Sequence, residues 1–129
     1  MFVDASALVA ILTEEVDGPE LSRRLSKAVA PVTSAVAVYE TALVLAHKGR
    51  HDAVGAYGLI ERYLARAKVN VVDIPPEASA LAVDAFQRYG KGRHPAKLNL
   101  GDCFAYAMAK REGVPLLYKG DDFARTDLA

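Results

Sequence analysis

The sequence predicts an α/β fold, a short and mostly parallel central sheet with helices packed against it. Three observations lead there. Short apolar runs alternate with longer stretches of helical period. Each strand-to-strand connection contains a helix, which is what parallel pairing demands. The 129 residues, 52% hydrophobic and 25% charged, are enough to bury a core and keep it soluble. Residues 1–129 are read as one domain, because no repeat, low-complexity segment or linker interrupts them.

Taken in order, Met1 to Asp4 reads as a short buried strand and Ala5 to Leu12 as the helix behind it. Asp17-Gly18-Pro19-Glu20 opens a second helix, with Asp17 as N-cap and Leu21, Leu25, Ala28 and Val29 on one face. A strand around Pro31 to Thr33 follows. Thr33 or Ser34 caps a helix that runs to about His47, and a partner helix spans about Asp52 to Lys68. Val69 to Ile74 is the clearest strand in the pattern. Pro75 and Pro76 sit where helix starts tolerate proline, ahead of a helix over Glu77 to Tyr89. Gly90 to Asn99 is a basic loop, Gly101 to Glu112 a helix, and Pro115 to Tyr118 the last strand. The tail from Lys119 to Ala129 reads as polar turn and edge.

Composition removes several classes of function. One cysteine and three scattered histidines leave no disulfide framework and no thiolate or imidazole metal site. The natural compartment is a reducing cytoplasm. Phe2 to Leu12 is apolar but lacks a basic leader and carries Asp4, so it does not read as a signal peptide, and no stretch approaches the roughly 20 apolar residues of a membrane span. Sixteen basic and sixteen acidic residues cancel, so any contact with nucleic acid must come from a local patch.

The candidate chemistry is acidic. Asp4 ends the first strand. Glu40 lies on an apolar helix face, with Val36, Ala37, Leu43 and Val44 as its helical neighbours, where a charge requires a partner, a metal or the rim of a cleft. Asp102 follows Asn99 in capping-box spacing, and Asp121 and Asp122 come just beyond the last strand. Asp4, Asp102 and Asp122 therefore fall on the carboxyl edge of a parallel sheet, where open α/β sheets bind ligands. Carboxylates converging to about 5 Å repel by roughly 3 kcal/mol per pair at an effective dielectric near 20. Protonation or a hard divalent cation relieves this, and an all-oxygen donor set suits Mg²⁺ or Mn²⁺. Such an ion activates water and steadies charge on a phosphoryl group.

A basic stretch leads into Asp102. Arg88, Lys91, Arg93, His94 and Lys97 occur with no acid between Asp84 and Asp102, a pattern suited to gripping a polyanion. Ser6, two residues after Asp4, is placed to orient a water at the acids. Cys103 reads as a small buried hydrophobe, and Tyr89 and Tyr106 as packing residues.

Four segments in register carry a resemblance: Met-Phe-Val-Asp4-Ala-Ser6-Ala-Leu at the start; Glu40 on the third helix; Leu-Asn99-Leu-Gly101-Asp102-Cys-Phe-Ala-Tyr106-Ala; and Leu-Leu-Tyr-Lys-Gly-Asp121-Asp122-Phe-Ala-Arg-Thr-Asp127. Over essentially its whole length the chain resembles PIN-domain ribonucleases, specifically VapC toxins of type II toxin–antitoxin pairs. The resemblance implies a three-layer α/β/α sandwich and a Mg²⁺- or Mn²⁺-dependent endoribonuclease. Such an enzyme cuts single-stranded regions of RNA, commonly tRNA or rRNA, and so arrests translation. It implies Asp4, Glu40 and Asp102 as the acidic metal centre. Asp122 is the fourth acid, with Asp121 as its substitute, because an earlier acidic place in many relatives is occupied here by Gly120. Ser6 resembles a contact to the metal's water, and Lys91 and Arg93 resemble a loop that meets substrate phosphate. A VapB-like antitoxin, whose C-terminal segment blocks the cleft, and a homodimer or a heteromer with that antitoxin are further implications.

Two other readings share the acidic pocket. A receiver domain that accepts phosphate on an aspartate has this length and a Mg²⁺ site, but it wants its paired acids after the first strand, whereas this chain has a single acid there and its pair at the end. A PIN-like module that only binds RNA or protein would have no reason to keep mutually repelling acids.

Overall fold

A computed structural model describes residues 1–128. Its strands are β1 (Phe2–Val3), β2 (Val32–Ser34), β3 (Asn70–Val72) and β4 (Leu116–Leu117). Its helices are α1 (Ala5–Leu12), α2 (Gly18–Ser26), α3 (Ala35–His47), α4 (Ala53–Ala67), α5 (Ala78–Tyr89) and α6 (Leu100–Glu112). All pairings are parallel, in the order β3-β2-β1-β4, with Phe2 opposite both Val32 and Leu116. β1 is thus central, and the strands first and last in sequence lie side by side.

Alternation along β1 sets the layers. Phe2 points into a core built from α5, α6 and the tail, with Leu98, Tyr106, Met108, Leu116 and Phe123. Val3 points the other way, into a core built from α1 to α4, with Leu8, Leu21, Leu45, Ile60 and Leu117. The result is the expected α/β/α sandwich. Helix starts sit where short polar side chains can take up free N–H groups: Asp4, Ser34, Asp52 and Asn99 each cap the helix that follows. Among the described residues, no helix is long and apolar enough to cross a membrane.

Four local expectations are corrected. Asp17 takes helical dihedrals and makes no capping bond, so α2 starts without a side-chain cap. α2 closes at Ser26, and Val29 is 91% exposed rather than part of its apolar face. β3 is shorter than its apolar run, because it is an edge strand whose one neighbour, β2, is itself three residues long. The tail is more than polar edge. Phe123 is buried in a 3₁₀ turn over Phe123–Arg125, and Asp127 accepts a hydrogen bond from the buried Tyr106 hydroxyl at 2.8 Å. A phenol sealed inside a core needs an acceptor, and the tail supplies it.

Candidate active site

The parallel sheet turns its carboxyl edge toward the N-termini of α1, α3 and α6, and the acids gather there. Asp4 leaves β1 with an extended backbone and is only 3% exposed. Its Oδ2 accepts from the Ser6 amide at 3.0 Å and from the Ser6 hydroxyl at 2.6 Å. The Ser6 oxygen in turn accepts from the Lys119 amide at 3.0 Å, which stitches the end of β4 to the end of β1. Burial raises the Asp4 carboxyl above its ordinary value, against the lowering effect of the Ser6 bonds and with a small push from Asp122.

Asp102 is aimed by a capping box. Its Oδ2 accepts from the Asn99 amide at 3.0 Å, while the Asn99 side chain accepts from the Asp102 amide at 3.0 Å. Glu40 reaches over the start of α6 from α3, and a β-carbon on Gly101 would overlap its carboxylate. Burial, then Asp4, then Asp102 push Glu40 up to about 7, and no hydrogen bond to a described residue offsets this. Asp102 rises to about 6, chiefly from burial and then from Asp4 and Asp122, although the Asn99 amide pulls it down. Asp4, Glu40 and Asp102 are each raised by another acid, so the cluster carries more negative charge than its surroundings neutralise.

These groups line a cavity of about 440 Å³ whose walls include Asp4, Ser6, Glu15, Glu40, Asp102, Lys119 and Gly120. Glu15 and Lys119 escaped the sequence reading. Glu15 belongs to no motif in the sequence, and Lys119 opens a stretch that reads as polar turn and edge. Instead the Lys119 ammonium is hydrogen-bonded to the Glu15 carboxylate across the mouth of the cavity. A larger apolar groove of about 550 Å³ runs along α3 and α4, but Glu61 is the one acid among its lining residues.

The remaining sequence candidates divide. Asp122 lies at the start of the 3₁₀ turn and is felt electrostatically by both Asp4 and Asp102. Asp121 exerts no such influence on either. Lys91 and Arg93 stay outside the acid cavity. Lys91 borders a separate groove of about 390 Å³ between α5 and α6, and the Arg93 guanidinium lies 5.4 Å from the centre of the Phe86 ring. Their loop is shaped rather than loose: the Lys91 amide donates to the Leu98 carbonyl at 2.9 Å, the Leu98 amide donates to the Tyr89 carbonyl at 3.0 Å, and the Ala96 amide donates to His94 Nδ1 at 3.0 Å. Cys103 is buried, as expected.

The PIN-domain profile matches residues 1–128. The chain belongs to the PIN-domain family. Within it the chain groups with the VapC ribonucleases. It is 45% identical to a VapC ribonuclease of Rhizobium meliloti (strain 1021), over 98% of each chain. It is 43% identical to Ribonuclease VapC of Mycolicibacterium smegmatis, over 100% of this chain and 98% of the relative. Among solved structures, Mycobacterium tuberculosis VapC20, described as a sarcin-ricin loop cleaving toxin, superposes with a TM-score of 0.72 over 95% of this chain and 92% of that one, at 20% identity. That likeness establishes the three-layer fold. PIN membership also sets aside the receiver-domain reading.

The donors suit a hard divalent cation, because every acidic wall of the cavity offers carboxylate oxygen and no wall offers thiolate or imidazole. Among the described residues, no three Asp, Glu, His or Cys side chains are drawn together into a ready-made cage. Mg²⁺ does not require one, since it keeps several waters and binds through one or two carboxylates.

Proposed function

We propose that the chain is a Mg²⁺- or Mn²⁺-dependent endoribonuclease, the toxin of a toxin–antitoxin pair, which cuts single-stranded regions of RNA, in tRNA or rRNA, and so halts translation. The observation that carries this reading is the meeting of Asp4, Glu40 and Asp102 on one cavity, each raised by burial and by another acid. Membership of the VapC ribonucleases supplies the reaction class.

Asp4, Glu40, Asp102 and Asp122 would hold the ion. When bound, it neutralises the acids and the phosphodiester and makes water a competent nucleophile near neutral pH. The protein's own part is positioning. Ser6 and the first turn of α1 hold Asp4 in one rotamer, so that a single carboxylate orientation is presented. The capping box does the same for Asp102 by occupying its Oδ2. Ion uptake must displace the protons that Glu40 and Asp102 hold below about pH 7 and 6, so affinity rises with pH through that range. Lys91 and Arg93 take substrate phosphate outside the acid cavity, along the groove between α5 and α6.

A VapB-like antitoxin fits the same chemistry. An arginine on its C-terminal segment, seated among the acids, offers a cationic alternative to the metal and so silences the site. The chain acts as a homodimer, or as a heteromer with that antitoxin. A binding module without catalysis is disfavoured, since it would carry the mutual repulsion of the acids for no gain.

The deciding experiment maps RNA 5′ ends in cells shortly after induction, comparing the wild type with Asp102→Asn. New ends in single-stranded regions, present only in the wild type, are expected. Identical end profiles, with Asp102→Asn folded by circular dichroism, would reject the assignment.

A further inference from the structure

A polyanion entering this cavity meets four carboxylates, Asp4, Glu15, Glu40 and Asp102, and a single cation among the lining residues, Lys119. The basic loop cannot soften that approach from where it lies, because Lys91 borders a different groove and Arg93 rests on Phe86. Lys119 is also fixed unusually well at its root. Its amide donates to Ser6 Oγ at 3.0 Å, and that hydroxyl donates to Asp4 Oδ2 at 2.6 Å, so two hydrogen bonds separate the lysine backbone from the central acid. The side chain is 34% exposed and reaches Glu15 at the mouth, with Asp17 Oδ2 at 3.9 Å.

Resting on the nuclease reading above, we infer that Lys119 is a substrate-binding residue: its ammonium leaves Glu15 and takes a phosphate oxygen of the RNA strand as the strand enters the acid-lined cavity. The exchange is inexpensive for Glu15, because Lys48 already stands 4.0 Å from its other oxygen and holds it when Lys119 departs. Glu15 is then a counter-ion that parks the lysine at the mouth and competes with phosphate for it. Lysine suits this duty better than arginine would, being a compact charge on a flexible stem that can change partners without a planar match.

The two residues of the pair should therefore move RNA binding in opposite directions, and a lysine that contacts phosphate should in addition take its share of the salt dependence with it when removed. Binding of a short, mixed-sequence, single-stranded RNA would be followed by fluorescence anisotropy over a series of KCl concentrations. All proteins would carry Asp102→Asn to prevent cutting. Lys119→Gln is expected to weaken binding several-fold and to reduce the slope of log K against log salt by about 0.7, the share of one phosphate contact on a single strand. Glu15→Gln is expected to tighten binding, and Lys119→Arg to keep the slope. An unchanged slope in Lys119→Gln, or a loss of affinity in both Lys119→Gln and Glu15→Gln, overturns the inference; should Lys119→Gln fail to fold, Glu15→Gln and Lys119→Arg decide it. Cleavage of total cellular RNA by the chain without Asp102→Asn separates the two readings. Absent cleavage with opposite shifts in binding sinks the nuclease assignment alone, and cleavage with an unchanged slope sinks the lysine contact alone.

Discussion

The Glu40 carboxylate occupies the space a β-carbon on Gly101 would need, so α6 is bare at the point where the α3 carboxylate crosses it. Gly101 is the second residue of α6, directly before Asp102, and its backbone is helical. The requirement there is for space rather than for an unusual dihedral. Gly101→Ala is expected to leave the fold intact, because the obstacle is the free end of a glutamate and alanine is the better helix former. The methyl group pushes Glu40 away from Asp4 and Asp102, so RNA cleavage should fall at least tenfold while the thermal midpoint does not drop. A fall in stability with activity retained would contradict this account of the crossing.

Glu40 gives the site a pH signature. Its carboxyl is raised to about 7 in the folded protein, from an ordinary value of 4.5. The folded state therefore keeps a proton that the unfolded state releases. The protonated acid is compatible with the fold below pH 4.5, and the stability it allows is lost as pH rises through about 7. Glu40→Gln in metal-free protein should accordingly be more stable than the wild type at pH 8. The gap should narrow as pH falls and close below 4.5, as followed by urea denaturation in EDTA. A gap independent of pH would mean that Glu40 is not held against its neighbours.

Tyr106 and Asp127 form the clasp of the tail. Tyr106 follows Asp102 by one turn of α6, and its hydroxyl donates to Asp127 Oδ1 at 2.8 Å, while Lys110 Nζ holds Oδ2 at 2.6 Å. One helix thus presents an acid of the site and anchors the segment that carries Asp122. Tyr106→Phe should cost about 1 kcal/mol, the net worth of a buried hydrogen bond. Asp127→Ala, which also strands Lys110 and Arg88, should speed proteolysis beyond residue 119 and weaken Mn²⁺ binding in calorimetry. Unaltered Mn²⁺ affinity in Asp127→Ala would detach the clasp from the site.

The loop cations are expected to act on RNA alone. Replacing Lys91 and Arg93 together with alanine should weaken RNA binding and flatten its salt dependence. Mn²⁺ affinity should stay at the wild-type level, because neither side chain lines the acid cavity. A wild-type salt slope in the double variant would remove the loop from the substrate path.

What was legible in the sequence was local. Asp4 behind a strand, Asn99 and Asp102 in capping spacing, and Glu40 among apolar helical neighbours each announce themselves within four residues, where helix and strand periods operate. Hydrophobic period and the helix in each strand-to-strand connection gave a parallel sheet covered by helices, and the resemblance gave the three layers. What stayed hidden depends on polar pairs brought together by the finished fold. Lys119 and Glu15 lie 104 residues apart, and Tyr106 and Asp127 lie 21 apart. No periodicity links such residues, so a tail with one buried phenylalanine and a clasping aspartate looks like any surface turn. The loop at Lys91 adjoins Asp102 in sequence, and its backbone bonds fold it back onto the end of α5.

The adjacency of β1 and β4 governs when the acid cavity can assemble during synthesis. β1 and β4 are partners in the sheet, and Lys119 joins Ser6 only once both have formed. A ribosome that has polymerised as far as α5 has made Asp4 and Glu40 but neither Asp102 nor Asp122. A chain grown only that far holds two of the acids, and the cavity they share closes only when β4 takes its place beside β1.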